Sequence, residues 1–347
     1  MVFYRTYRPQ KISELDSQSV REGLSSILSG GKGIAHAFLF TGPRGLGKTS
    51  AARIVAKIVN CEKRKDTEPC NKCEQCTSIT NGTNLDVLEI DAASNRGIDE
   101  IRDLREKIKL APSSARKKVY IIDEVHMLTT EAFNALLKTL EEPPDHAIFI
   151  LATTDLYRVP ETIQSRCFHI AFRQASEVEL VRSLKRIVKG ENMKIDDAAL
   201  VAIAKISDGS FRDASKLLEQ AVADSGRKKI TQETVDRVTG AVQNGAELFL
   251  FLKERNTKKA LAWITETVSQ GTSMRVFLED CLAKLHAALL EKYEIKKGDG
   301  KMSSFNEEEL KKMIKLFSRA HLELKTAVIP QLPIEMAIIE YCMEKEI

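Results

Sequence analysis

The sequence predicts an α/β nucleotide-binding domain built on a five-stranded parallel sheet, followed by two all-helical blocks. Three observations carry this prediction. The stretch Gly42-Pro43-Arg44-Gly45-Leu46-Gly47-Lys48-Thr49 reads G-x-x-x-x-G-K-T between a short apolar run and an alanine-rich segment. The buried-looking run Val119-Tyr120-Ile121-Ile122 ends in the carboxylate pair Asp123-Glu124. From Ser176 onward strand signals give way to amphipathic helices.

Composition bounds the remaining possibilities. A chain of 347 residues is long for one core, so two or three domains are expected. The hydrophobic share of 43% and charged share of 29% are those of an ordinary globular protein. The formal charge is only +4, but residues 1 to 60 hold nine Lys or Arg against three Asp or Glu, a bias that permits nucleic-acid contact. No apolar run approaches the ~20 residues of a membrane span. Met1-Val2-Phe3-Tyr4-Arg5 lacks the apolar centre of a secretory signal, so a cytoplasmic protein is expected. In that compartment seven cysteines do not read as disulfides.

The chain opens with Tyr4-Arg5-Thr6-Tyr7-Arg8-Pro9, ahead of any regular pattern. Two readings are open: a stacking, cationic segment that covers a purine ring, or an arm packed on the core. A helix is expected from Ser17 to Leu28, ended by Gly30-Gly31. Ala37-Phe38-Leu39-Phe40 is the first strand, and the phosphate loop opens a helix running to Asn60. A phosphate chain needs closely spaced N–H groups and a helix N-terminus. Gly42, Gly45 and Gly47 let the backbone come close. Lys48 reaches the β- and γ-phosphates, Thr49 offers its hydroxyl to Mg²⁺, and Ser50 is expected among the nucleotide-binding residues.

Next comes Cys61-x₈-Cys70-x₂-Cys73-x₂-Cys76. Four sulfur ligands with no histidine suit a closed structural zinc site. An iron–sulfur cluster is the rival, and the surrounding Lys, Glu, Asn and Thr would shield one poorly. Cys167, Cys281 and Cys342 are scattered and read as small hydrophobes.

Leu85–Ile90 is the second strand. It leads into Ser94-Asn95-Arg96, which reads either as a phosphate holder or as a helix cap, and then a charged helix from Ile98 to Leu110. The third strand presents Asp123 for Mg²⁺ and Glu124 to polarise the attacking water. A helix over Thr130–Glu142 is stopped by Pro143-Pro144. Ala147–Thr153 is the fourth strand, and its end places Thr153 or Thr154 beside the phosphate loop. Ser165-Arg166-Cys167 precedes a fifth strand, Phe168–Phe172. Strands alternating with helices imply a parallel sheet covered on both faces.

Four amphipathic helices follow: Glu177–Lys189, Asp196–Ile206, Phe211–Val222 and Gln232–Val238. Arg212, at the start of the third, either faces the phosphates or pairs on the surface. The block after Gly240 carries apolar stripes, Leu248, Phe249, Leu252 and Phe277, Leu278, Cys281, Leu282, Leu285, expected in a core or a subunit contact. Gly298–Ser304 reads as a loop.

Together, Tyr4–Pro9, Gly42–Thr49, the cysteine knuckle, Asp123-Glu124-Val125-His126, Ser165-Arg166-Cys167 and Gly209-Ser210-Phe211-Arg212-Asp213 resemble the AAA+ ATPases of the bacterial clamp-loader family, of gamma/tau type. The motifs extend over the first 240 residues, and the knuckle is their most specific element. The resemblance implies a nucleotide-binding domain with zinc knuckle over 1–175, a helical lid over 176–240 and an oligomerising collar over 241–347. It implies a subunit of the DNA polymerase III holoenzyme that hydrolyses ATP to open the sliding clamp and load it onto primer–template DNA. The implied partners are delta, delta-prime and further gamma/tau-type subunits; the implied cofactors are ATP, Mg²⁺ and Zn²⁺. Residue by residue, Lys48 and Thr49 match the first nucleotide motif, and Asp123 and Glu124 the second. Thr154 falls at the first sensor with Thr153 adjacent, and Arg212 at the second sensor. Arg166 matches the finger that acts on a neighbouring subunit's ATP, the alternative being an arginine that pins its own helix to a carboxylate. Tyr7, Arg8 and Pro9 fall against the base. Ending at Ile347, the chain is expected to be gamma-like in length or a fragment.

Overall fold

The computed structural model describes residues 2–29, 34–94, 106–226, 228–239, 245–269, 272–295, 304–324 and 327–343. They fall into two compact units, divided between Thr231 and Gln232. Asn95, Arg96, most of the expected helix over 98–110, the Gly30-Gly31 stop and most of the 298–304 loop lie outside the described residues.

The first unit is organised around five parallel strands: β1 (Ala37–Thr41), β2 (Val87–Asp91), β3 (Lys118–Asp123), β4 (Ala147–Thr153) and β5 (Phe168–Ala171). Their order is β2-β3-β4-β1-β5, so β4 lies between the strand that feeds the phosphate loop and the strand that ends in Asp123. The three central strands are buried almost throughout, which is why they read as continuous apolar runs. Alternate residues go to opposite faces. Phe38, Phe40, Val119, Ile121, Ile148 and Ile150 pack into one core layer. Leu39, Tyr120, Ile122, Phe149 and Leu151 pack into the other.

Helices α1 (Phe3–Thr6), α2 (Gln18–Ser29), α3 (Lys48–Asn60), α4 (Glu74–Asn81), α5 (Thr130–Glu141) and α6 (Glu161–Gln164) surround the sheet. The first corrects the expectation of an irregular opening. Four residues carry no periodicity to read, yet Phe3, which begins the turn, is buried and its N–H donates to Glu219 Oε2 at 3.3 Å. α3 supplies Ala51, Ala52, Ile54, Val55 and Ile58 to the first core layer, and α5 supplies Ala132, Phe133, Leu136 and Leu140 to the second.

The same unit continues with α7 (Glu177–Gly190), α8 (Asp197–Ile206) and α9 (Phe211–Ser225). Ser176 and Glu179 close a reciprocal capping box that sets where α7 begins.

The second unit comprises α10 (Gln232–Thr239), α11 (Gly245–Lys253), α12 (Thr257–Ser269), α13 (Met274–Lys292), α14 (Glu307–Glu323) and α15 (Leu332–Met343). Its core contains both apolar stripes expected there, Leu282 being only partly buried.

Candidate functional site

The carboxyl ends of β1, β3 and β4 converge on the edge of the sheet where open α/β folds bind ligands. A cleft of about 420 Å³ opens there. The phosphate loop forms its floor, with Gly45, Gly47, Lys48, Thr49 and Ser50 among the lining residues. Gly42 and Gly45 adopt φ of +137° and +84°, in the region where side chains are strained. A Cβ at Gly42 would overlap the Phe172 carbonyl, and one at Gly45 would strike the Ser210 hydroxyl. The loop is thus a backbone cradle pressed between β5's exit and the lid, at the N-terminus of α3.

Lys48 is buried, and its Nζ donates to the carbonyls of Gly42 and Pro43 at 2.6 and 2.8 Å. Burial pushes its ammonium below the ordinary lysine value, and the Glu124 and Asp123 carboxylates pull it back up. Thr49 Oγ1 donates to Asp123 Oδ2 at 2.8 Å, which puts a hydroxyl and a carboxylate side by side. That pair of hard oxygens suits Mg²⁺.

Glu124 follows β3 in a left-handed conformation, φ +48°, which costs a non-glycine residue roughly 1–3 kcal/mol. The strain is offset by Thr154, whose Oγ1 and backbone N–H donate to Glu124 Oε2 at 2.9 and 3.3 Å. Thr153 is different. It is fully buried, with its Oγ1 2.9 Å from His126 Nδ1 and donating to the Asp155 carbonyl. Of the two threonines, Thr154 is the one that touches Glu124.

The N-terminal arm and the lid close the cleft from above the loop. Tyr7, Arg8, Pro9 and Arg212 all line it. Arg212 lies over the Tyr4 ring at 5.6 Å, a cation–π contact. Tyr7 Oη donates to Glu191 Oε1 at 2.8 Å at the end of α7. Burial and that contact push the Tyr7 phenol above its ordinary value. Burial pushes the Arg8 guanidinium down, and Arg53 nearby adds to it.

Arg166 and Ser94 are not among the cleft residues. Arg166 Nη2 donates to Glu141 Oε1 at 2.8 Å and its Nη1 to the Thr162 carbonyl at 2.6 Å, tying α6 to the end of α5. Ser94 is exposed, and its N–H donates to the Asp91 carbonyl at 3.1 Å.

Several contributors carried no sequence signal. Asp16 is buried and pairs with Arg186 of α7 at 2.7 Å, and Arg186 and Ile187 line the cleft. Ser210 abuts the loop at Gly45, and Arg53 pairs with Glu89 across α3 and β2. Each depends on a contact between residues distant in sequence, which no local pattern encodes.

Cys61, Cys70, Cys73 and Cys76 form a second centre, all four sulfurs lying within 4.8 Å of one another. The backbone N–H of Cys70 points at Cys61 Sγ (3.2 Å), and those of Lys72 and Cys73 at Cys70 Sγ (3.4 and 3.3 Å). These N–H groups, Lys72's foremost, hold the Cys70 thiol down at about 6, whereas burial pushes the Cys61 and Cys76 thiols up. Four converging sulfurs with N–H donors around them suit a tetrahedral thiolate-bound metal.

Residues 17–176 match the family model described as DNA polymerase III, delta subunit, and residues 179–227 match that of the DNA polymerase III clamp loader subunit ATPase lid domain. The chain is 42% identical to DNA polymerase III subunit tau of Bacillus subtilis, covering 98% of this chain and 62% of that one. It is 39% identical to subunit gamma of Buchnera aphidicola subsp. Schizaphis graminum, covering 93% and 89%. Against subunit tau of Escherichia coli it is 42% identical over 82% of this chain and 44% of the relative. The chain thus spans less than two thirds of these two tau subunits and most of the gamma subunit. Among solved structures, the Thermotoga maritima RuvB Holliday junction branch migration motor superposes with a TM-score of 0.52 at 21% identity, over 71% of this chain and 79% of that one. That likeness shows a shared AAA+ fold. Identity with subunit gamma along most of both chains, joined to the matching lid, shows that the chain belongs to the gamma/tau family of bacterial DNA polymerase III clamp-loader subunits.

Proposed function

We propose that this chain is an ATP-hydrolysing clamp-loader subunit that opens the sliding clamp and loads it onto primer–template DNA within the replicative DNA polymerase III holoenzyme, in the cytoplasm. The observation that carries this reading is the gathering of Lys48, Thr49, Asp123, Glu124 and Thr154 at one carboxyl edge of a parallel sheet, with Arg212 of the lid on the same cleft. Phosphoryl transfer to water needs positioning and charge stabilisation more than covalent chemistry, and these groups supply both.

On this reading the loop N–H groups and Lys48 hold the β- and γ-phosphates. Thr49 and Asp123 hold Mg²⁺, which neutralises charge on the phosphate oxygens when bound. Glu124 orients and polarises the attacking water, and Thr154 fixes the Glu124 carboxylate. Arg212 faces the phosphates from the lid, Tyr7, Arg8 and Pro9 lie against the base, and Arg166 acts on the ATP of a neighbouring subunit. The knuckle holds one structural Zn²⁺ through its four cysteines, with no position left open for chemistry. Residues 1–175, 176–240 and 241–347 act as motor, lid and collar. Ile329, Leu332, Met336 and Met343, exposed along and just before α15, support a subunit contact in the last of these. The partners on this reading are delta, delta-prime, further gamma/tau copies, the clamp and primed DNA.

Steady-state ATP hydrolysis by the chain, alone and with its partner subunits, clamp and primed DNA, tests the proposal. Hydrolysis should be slow alone and rise with each addition. A rate that ignores clamp and primed DNA would exclude clamp loading and favour another AAA+ remodelling task.

A further inference from the structure

Besides α3, a short stretch of the N-terminal arm joins the nucleotide cleft to the cysteine knuckle. Tyr7, Arg8 and Pro9 line the cleft, Ile12 and Ser13 meet the knuckle at Glu68, and Gln10 meets the helices on either side of it. Glu68, between Cys61 and Cys70, grips that stretch with both carboxylate oxygens. It accepts the N–H of Ile12 at 2.9 Å and of Ser13 at 2.8 Å. Gln10 is held a second way. Its Oε1 accepts from Lys57 Nζ at 2.6 Å and from Thr80 Oγ1 at 3.2 Å, while its amide donates back to the Arg8 carbonyl at 3.0 Å.

Lys57 is the odd member of this set. It lies on α3, the helix that the phosphate loop opens, and is only 1% exposed. It also donates to Asn71 Oδ1 at 2.9 Å, in the turn between Cys70 and Cys73, and to Thr80 Oγ1 at 3.5 Å. All three acceptors are neutral, although a buried ammonium is expected to find a carboxylate. A divalent metal bound by four thiolates carries a net charge of about −2, so the ammonium is placed to offset it.

The knuckle carries little regular backbone pairing. Between α3 and α4 its regular pairing is one isolated bridge, Lys65 to Glu68. In so small a motif metal-binding free energy is folding free energy.

We propose that the knuckle is a metal-dependent clasp for the arm that closes the nucleotide cleft, with Glu68 and Lys57 as positioning residues for nucleotide binding. Metal in the four-cysteine site fixes Glu68 and Asn71. These fix Gln10, Ile12 and Ser13, and so hold Tyr7, Arg8 and Pro9 over the cleft. Metal occupancy therefore sets nucleotide affinity without touching the catalytic carboxylates. The proposal rests on the zinc and ATP readings given above.

Equilibrium binding of a fluorescent ATP analogue to the full chain tests it, with zinc measured in every sample and Mg²⁺ kept in excess. Glu68→Ala should retain one zinc per chain and bind nucleotide roughly tenfold more weakly, the worth of one charge-assisted hydrogen bond. In the assembled complex its KM should rise with kcat unchanged. Lys57→Met should weaken nucleotide binding and also lose zinc to a chelator more readily. Stripping zinc from the wild type should weaken nucleotide binding by a similar factor, and zinc should restore it. Stripping Glu68→Ala should cost little more, since the clasp is already open. A wild type that binds both zinc and nucleotide, beside a Glu68→Ala variant of unchanged affinity or a stripped wild type of unchanged affinity, overturns the clasp alone. A wild type that takes up no zinc or no nucleotide overturns it together with the functional reading.

Discussion

Lys48 and Glu124 both belong to the cleft, but they bear on different steps. On the proposed function Lys48 supplies positive charge to the β- and γ-phosphates, so it contributes to binding as well as to turnover. Glu124 lines the cleft in a strained backbone conformation held by Thr154, and on the proposed function it activates the water and leaves the phosphates to the loop. Lys48→Ala is therefore expected to lose hydrolysis and most nucleotide affinity. Glu124→Gln, which keeps the size and the Thr154 contact, should keep affinity and lose about 10²–10⁴ in turnover. Nucleotide titration beside single-turnover hydrolysis separates the two. Equal ATP affinity in both variants and the wild type contradicts this division. The identity of these residues was legible from local motif and spacing. The choice of Thr154 over Thr153 was not, because it depends on which side of β4's last residues faces β3.

At the scale of elements, legibility followed burial. β1 and β4 were readable almost to the residue, because strands covered on both faces leave uninterrupted apolar runs. The edge strands β2 and β5 are partly exposed, and their bounds shifted by one or two residues. Helix α1 and the arm's contacts with Glu68 and Lys57 left no pattern at all, since single hydrogen bonds across long sequence separations have no period. Asp86 belongs to the same class. It is fully buried just before β2 and accepts the N–H groups of Ser113, Ser114 and Ala115 at 2.8 to 2.9 Å. Burial alone would raise its carboxyl, but the three N–H donors outweigh that and hold it below the usual carboxylate value. A depressed carboxyl adds stability that is present above the unfolded value of about 3.9 and is lost as pH falls through the folded one. Asp86→Asn should cost about 1–3 kcal/mol at neutral pH, because the amide cannot accept from all three donors. Thermal melts across the acid range should show the gap between variant and wild type narrowing below pH 4. A gap that is constant with pH would mean that the charge on Asp86 is not what holds the turn.

For the whole molecule, the central question is whether its ATP site is completed by another subunit. Arg166 is paired with Glu141 of its own chain, but both side chains are substantially exposed, 34% and 48%. Such a pair is worth only about 0–1 kcal/mol, so releasing the arginine to a neighbour costs little. Arg166→Ala should accordingly melt close to the wild type while an arginine acting in trans is worth about 10³–10⁵ in rate. Mixing Arg166→Ala chains, which keep Lys48, with Lys48→Ala chains, which keep Arg166, should restore part of the assembly's activity. Mixed assemblies that stay as inactive as either parent would show the arginine to be no more than a surface tie. Clamp loading itself is read most directly as retention of closed sliding clamps on primed circular DNA, measured after the assembled complex is given ATP. Wild-type assemblies should leave clamps on the circles and release them when the DNA is linearised, and assemblies carrying Lys48→Ala should leave none. Loading that is equally efficient with Lys48→Ala, or absent from wild-type assemblies that hydrolyse ATP, contradicts the account.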